Sequence, residues 1–367
     1  IHRRLVGSEM CIRDRMEGHH QLNEIASFVR LLPTPITSVT HNENEVIAGD
    51  KGGNISKWCI SNGRISWSRQ LDPSVSDIHI VNNLVMVASG KYLYCLTLEE
   101  GSILWSVSFD GACDLLSPNE KTVWATSSVY EIEIGHYVNC KVQELDSQNG
   151  AMIQSLDLPS KAWSIESTGV DCILGLGRPD PGVYFIRSGT GKLEPKTEAP
   201  DLPIIESVRS STGSISFLTA SGTAFEIDSR GHLQNIVDEA TCVGYRHDGT
   251  WLCQSSKRKN GLNVSDDSQI RLAEARFVVC SETMTVTMTK SEPTKGIIQL
   301  NNLDVTWSHR GEVTSYNGQG DRISIGYSTG EIILLESRVV ESRALAADVN
   351  GEDKSEIRAR LRMLRFE

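Results

Sequence analysis

The chain has 367 residues, 39% of them apolar and 23% charged, a balance that fits a folded protein with a sizeable core and excludes a disordered one. Its net charge of −11 argues against general nucleic-acid binding, which needs a basic surface to displace counterions. No run of about 18 apolar residues occurs, so no transmembrane helix is expected.

The first residues, Ile1 to Arg15, read unlike the rest. Val6–Arg15 resembles the translated read-through of a sequencing adapter, as found at the ends of metagenomic open reading frames. No apolar core follows the basic residues, as a secretion signal would require. Residues 1–15 are therefore set apart as artefactual or disordered, and Met16 is taken as the start. His19-His20 would be a metal pair only with a third converging ligand and reads as a solvated pair. Asn23–Leu32 follows as an apolar strand with no local partner.

Beyond it a unit recurs: an apolar strand, a glycine-containing turn, an alternating strand, a second turn, and a strand that can carry Trp. Trp67 and Trp105 lie 38 residues apart, each four positions after its turn glycine, Gly63 or Gly101. A repeat of about 40 residues made only of strands means a propeller of stacked blades. Eight alternating strands fit the third place of the unit: Asn54–Ser61, Tyr92–Leu98, Cys140–Ser147, Val183–Ser188, Thr223–Ser229, Leu262–Asp266, Ile297–Asn301 and Glu331–Ser337. Each has an apolar strand shortly before it. Glycines 63, 101, 150, 191 and 231 mark the turn into the fourth strand; the one long interval reflects an insertion around Tyr130–Val138.

The expected fold is all-β: a single propeller of four-stranded antiparallel blades over residues 16–338. Eight blades are expected, with seven as the alternative, because Glu239–Arg310 carries the weakest signals. Asn23–Leu32, paired with Glu331–Ser337, would close the ring and remove its exposed edge. Trp67, Trp105 and Trp307 are read as sharing one fourth-strand position and packing between blades.

The tail, residues 339–367, is read as a linker followed by a short basic amphipathic helix over Ser355–Phe366. Ile357, Leu361 and Leu364 share one face, and Arg358, Arg360, Arg362 and Arg365 add positive charge. Asp348–Asp353 has its Gly at the wrong place for a calcium loop. Two loops stand out as binding candidates: Arg178-Pro-Asp-Pro-Gly182, and the basic Lys257-Arg258-Lys259. The nine cysteines form no Cys-x-x-Cys pair and mostly sit in apolar strands, as small buried hydrophobes of a reducing compartment do.

The segment Lys91–Trp105 resembles the quinoprotein-type (PQQ-like) propeller repeat, with its Tyr-x-apolar-apolar, Gly turn and four-residue step to Trp. Ser61–Trp67 and Asn301–Trp307 resemble the end of that repeat. Gly49–Trp58 also looks like a WD-type repeat, with Cys59 where that family prefers Asp and no Gly-His at a blade start. Both resemblances imply the same ring. The quinoprotein enzymes hold their quinone through a calcium site and an adjacent Cys-Cys pair; this chain has no Cys-Cys dipeptide, and no cluster maps onto those ligands. No cofactor, no metal and no catalytic residue is therefore expected.

The expectation for function is a non-catalytic, monomeric, cytoplasmic scaffold that binds protein partners, with nucleic acid disfavoured. The residues expected to carry binding are Ile357, Arg358, Leu361, Arg362, Leu364 and Arg365 in the tail, and Arg178, Lys257, Arg258 and Lys259 in loops. The alternative is a small-ligand binder or enzyme, of PQQ-like or hydrolase type, using the central channel where loops of several blades converge.

Overall fold

The computed structural model describes residues 19–167, 171–187, 190–255, 262–263, 275–289, 292, 294–300 and 303–346. The chain opens with a short strand β1 (His19–Gln21), a helical turn α1 (Leu22–Ile25) and β2 (Phe28–Leu31). The first blade is β3–β6 (Ile36–His41, Glu45–Asp50, Asn54–Cys59, Ile65–Gln70) and the second β7–β10 (Val75–Val81, Leu84–Ser89, Tyr92–Thr97, Ile103–Ser108). The third is β11–β14 (Ala112–Pro118, Thr122–Glu131, His136–Asp146, Met152–Asp157) and the fourth β15–β18 (Ala162–Ser167, Asp171–Leu176, Gly182–Arg187, Leu193–Pro195). The fifth is β19–β22 (Ile204–Arg209, Ile215–Thr219, Ala224–Ile227, Leu233–Val237). A three-stranded sheet follows, β23–β25 (Ala240–Tyr245, Trp251–Ser255, Leu262–Asn263). Then come β26–β29 (Ala275–Cys280, Met284–Thr289, Lys295–Leu300, Leu303–Ser308) and β30–β32 (Val313–Gln319, Arg322–Tyr327, Glu331–Glu336).

The first strand of each sheet packs against the first strand of the next, and β30 packs against β3, which closes the ring around a central channel. Seven of the sheets carry four antiparallel strands, the last of them by recruiting β2. That is the alternative count. Eight four-stranded blades are not found, because the sheet β23–β25 has three strands among the described residues. Residues 264–274, between β25 and the next sheet, lie outside those residues, and Ala275 opens β26 as an inner strand.

Neighbouring sheets stack face to face, and this explains the apolar patterns. The second strands are covered on both faces, so they read as continuous apolar runs; Val85, Met86, Val87 and Ala88 of β8 are all buried. The core is divided among the gaps between blades. Ile47, Ile55 and Trp67 pack against Val75, Val85 and Val87, while Met86 and Leu93 pack against Cys113, Val123 and Ala125. None of the eight cysteines in the described residues forms a disulfide, and burial pushes the thiols of Cys95 to about 11 and Cys253 to about 12. The six buried ones serve as packing atoms.

The N-terminal strand closes the ring as expected. β2 pairs antiparallel with β32, from Phe28 opposite Leu334 to Leu31 opposite Glu331, and Ser27 donates its hydroxyl to the Leu334 carbonyl at 2.8 Å. The strand is shorter than Asn23–Leu32 because Leu22–Ile25 coils into α1, which buries Leu22 and Ile25 in the cluster around Trp307 and Tyr327. β1 then lies parallel on β29 as a fifth strand, a pairing no sequence pattern announced. On the other side of the seam His41 Nδ1 sits 2.9 Å from Ser324 Oγ. Residues 337–346 run on from β32 as a helix that buries Val340 and Ala344 in the same cluster. The helix expected at Ser355–Phe366 lies outside the described residues.

Trp67 and Trp105 pack as expected. Trp67 covers Gly101 of the next blade and donates its indole N–H to the Leu98 carbonyl at 3.0 Å; Trp105 covers Gly150 and donates to Ser147 at 3.3 Å. Both glycines have positive φ, which the tight turn and the ring face above each require. Trp307 does not share their position. Trp105 pairs with Cys95, the fourth residue of β9, whereas Trp307 pairs with Gly296, the second of β28, and its indole lies over that glycine in its own blade.

Candidate functional site

The strands β12 and β13 have 10 and 11 residues, against six in the middle strands of the blades on either side. Pairing of β11 ends at Ala112 opposite Ser128, and pairing of β14 ends at Asp157 opposite Lys141. The pairs Val129–Val138, Tyr130–Tyr137 and Glu131–His136 therefore stand out from the blade as a two-stranded ribbon. β-Branched and aromatic residues facing each other across the ladder hold it. Its tip carries Ile132, 83% exposed, and Ile134, 55% exposed.

The ribbon leans on the next blade. The Tyr130 and Tyr137 rings meet edge-on at 5.1 Å, and Tyr137 meets Trp163 at 5.9 Å. Beneath them the Lys161 ammonium lies 4.1 Å from the centroid of Tyr137 and 5.1 Å from that of Trp163. Lys161 is buried and donates to Asp114 Oδ1 at 2.8 Å and to Ser128 Oγ at 3.3 Å; Ser128 in turn donates to Asp114 Oδ2 at 2.5 Å. The cation is thus neutralised from below, and its role is to hold the rings in place.

The Arg178 loop meets the same cluster. Gly177 faces the Trp163 indole so closely that a Cβ there would lie 2.5 Å from Nε1, and the Asp180 N–H donates to Ser160 Oγ at 2.8 Å. Arg178, Pro179 and Asp180 are exposed. The structure therefore joins two features singled out in the sequence, the Tyr130–Val138 insertion and the Arg178 loop, on the side of the ring where second strands turn into third strands. Lys257, Arg258 and Lys259, and the tail residues Ile357, Arg358, Leu361, Arg362, Leu364 and Arg365, lie outside the described residues. Trp163 and Lys161 were missed. The only signal was an unusual pair of isoleucines, Ile132 and Ile134, in an otherwise polar hairpin tip.

The central channel carries a second polar group. On β7, His79 Nε2 lies 3.2 Å from Asp77 Oδ2, which also accepts the Leu116 N–H of the neighbouring blade at 2.9 Å. Burial opposes charge on His79, but Asp77 beside it and the more distant Glu166 hold its pKa above the ordinary imidazole value. Burial raises the Glu166 carboxyl, against the hydroxyl donated by Ser207 at 3.1 Å and the Arg209 and His79 charges. Further round, Tyr316 of β30 donates to Glu206 Oε1 of β19 at 2.5 Å, from one wall to another, and Phe277 stacks on Tyr316 at 4.8 Å. Burial raises Glu206 as well, with Tyr316 opposing. Among the described residues no three His, Cys, Asp or Glu side chains converge as a metal site. No helix among them is long and apolar enough to cross a membrane.

Solved structures match this arrangement of strands. The chain is a β-propeller. A computationally designed protein, Ika8, superposes with a TM-score of 0.66 at 16% identity, over 84% of this chain and 98% of that one. The WD40 domain of Pan2 from Neurospora crassa gives 0.57 at 9% identity, over 87% and 97%. Hsv2 from Kluyvelomyces marxianus gives 0.50 at 10%, over 72% and 92%. At such identities the likeness of this propeller to them is one of fold. No family model matches the chain, and no curated protein sequence matches it.

Proposed function

We propose that this propeller is a non-catalytic protein-interaction module whose docking face is the ribbon of the third blade, with Trp163 and the Arg178 loop beside it. The observation that carries the reading is the exposed apolar and aromatic surface on a rigid ribbon: Tyr130, Ile132, Ile134 and Trp163 are all exposed. Large aromatic and aliphatic side chains already held in position lose little entropy on contact, and such clusters with a neighbouring Arg are where interface energy concentrates. The channel supports a ligand-binding or enzymatic reading less well, because Asp77, Glu166 and Glu206 each already accept a hydrogen bond from within the protein.

The basic segment Ser355–Glu367 and the loop Lys257–Lys259 are proposed as secondary contacts, in keeping with the acidic charge of the remainder. The test is affinity capture with identification of bound proteins, comparing the unaltered chain with an Ile132→Asp/Ile134→Asp variant. A partner present with the first and lost with the second, at an unchanged thermal midpoint, is expected. An identical captured set from both would refute the assignment of this face. Removing Ser355–Glu367 should weaken the same capture without abolishing it.

A further inference from the structure

The outer strand of a propeller blade has one unpaired edge, and folded proteins normally protect such edges with charge, Pro, bulges or a covering segment. The outer strands of the seven blades with four antiparallel strands follow this rule with one exception. β6 carries Arg69, β14 ends in Asp157, and β18 is three residues long with Glu194 and Pro195. β22 is broken at Asn235, which has positive φ. β2 carries Arg30, and β29 is covered by β1. β10, Ile103-Leu-Trp-Ser-Val-Ser108, has no charge and no Pro, and its ladder is regular from Trp105 to Ser108 after an irregularity at its start. Its Ile103 and Leu104 are both more than half exposed.

The chain itself shows what covers such an edge. β1 lies along Thr306, Trp307 and Ser308 of β29. Matching the ladders, Thr306, Trp307 and Ser308 face Ile297, Gly296 and Lys295 of β28, just as Ser106, Val107 and Ser108 face Tyr94, Leu93 and Tyr92 of β9. The footprint of β1 therefore falls on Ser106–Ser108 in the second blade, where no strand lies among the described residues. We propose that this edge takes a short, extended, uncharged segment of a partner protein as a fifth strand, with apolar side chains set against Ile103 and Leu104. Main-chain hydrogen bonds would give the affinity, and the two apolar side chains the selectivity.

A second copy of the chain fits less well. A six-residue edge is only about 20 Å long. Two rigid rings meeting along it would bury well under the roughly 1,200 Å² of a stable interface, and each ring brings a net charge of −11.

The experiment is selection of a displayed library of random short peptides on the intact protein, followed by amide hydrogen exchange with the enriched peptides. Enriched peptides should be uncharged and rich in β-branched residues, and should slow exchange at Trp105–Ser108. A Ser106→Lys/Ser108→Lys variant, altered only at exposed positions, should bind them at least about tenfold more weakly at an unchanged thermal midpoint. The Ile132→Asp/Ile134→Asp variant should bind them normally, which separates this edge from the ribbon face. Failure to enrich any peptide, enriched peptides indifferent to the lysines, or a dimer in sedimentation with protected β10 amides would each overturn the proposal.

Discussion

Replacing Gly101 by Ala places a methyl group where the chain has seated an indole. The added Cβ would stand 2.6 Å from Cδ2, 2.8 Å from Cε3 and 3.0 Å from Cε2 of Trp67. The ring cannot swing away cheaply, because its N–H is bonded to Leu98 and its body is packed against Ile47 and Val75. Holding Ala at the φ of +68° costs about 1–2 kcal/mol. Forcing the overpacked contact costs about 1–3 kcal/mol more, for a total of about 2–5 kcal/mol. In a Trp67→Ala background, itself destabilised by about 3–5 kcal/mol, only the backbone part should remain. Urea unfolding followed by circular dichroism on the four proteins of this cycle measures the difference. An equal cost of Gly101→Ala with and without Trp67 would mean that the tryptophan does not seat on the turn of the next blade.

Three further outcomes are expected. Lys161→Met leaves Asp114 and Ser128 without their cation and should cost about 3 kcal/mol, read by thermal or urea unfolding, with loss of the near-ultraviolet dichroism of Trp163. Burial lowers the pKa of His41 to about 4 in the fold from 6.5, so the unfolded chain binds the proton more readily. Stability should therefore fall as pH drops from 6.5 towards 4, by about 3 kcal/mol from this group, and His41→Gln should flatten that part of the urea-midpoint profile. Tyr316→Phe removes the hydroxyl that Glu206 accepts across the channel; it should cost about 1–3 kcal/mol and raise the Glu206 pKa further, as followed by carboxyl carbon NMR.

Much of the ring could be read from residue order because each blade repeats a local event. An apolar second strand, a turn and an alternating third strand recur wherever a sheet is sandwiched between neighbours, and the positive-φ glycines at 63, 101 and 150 fix the next turn. The pattern fails where burial is set by distant segments. Trp307 matches Trp105 in spacing, yet its register is shifted by two residues, in a blade that β1 extends and α1 packs against. The candidate face was half visible: the long interval exposed the insertion, but nothing in the sequence tied Tyr137 to Trp163 or Lys161 to Asp114. The channel groups were not visible at all, since His79 and Glu166, like Tyr316 and Glu206, belong to different blades and only ring closure brings each pair together.

The seam between β2 and β32 also sets a clock on biogenesis. Ser27 and Leu334 are 307 residues apart, so β2 can be seated only when nearly the whole ring has been synthesised. At about 5–20 residues per second, the ribosome needs roughly 15–60 s to deliver that partner. During this interval Phe28 and Val29 have no ladder to join, while the earlier blades are already able to stack. A nascent chain of this kind needs protection of β2, and a pause in translation before Glu331 would lengthen the period in which that strand can pair with the wrong partner.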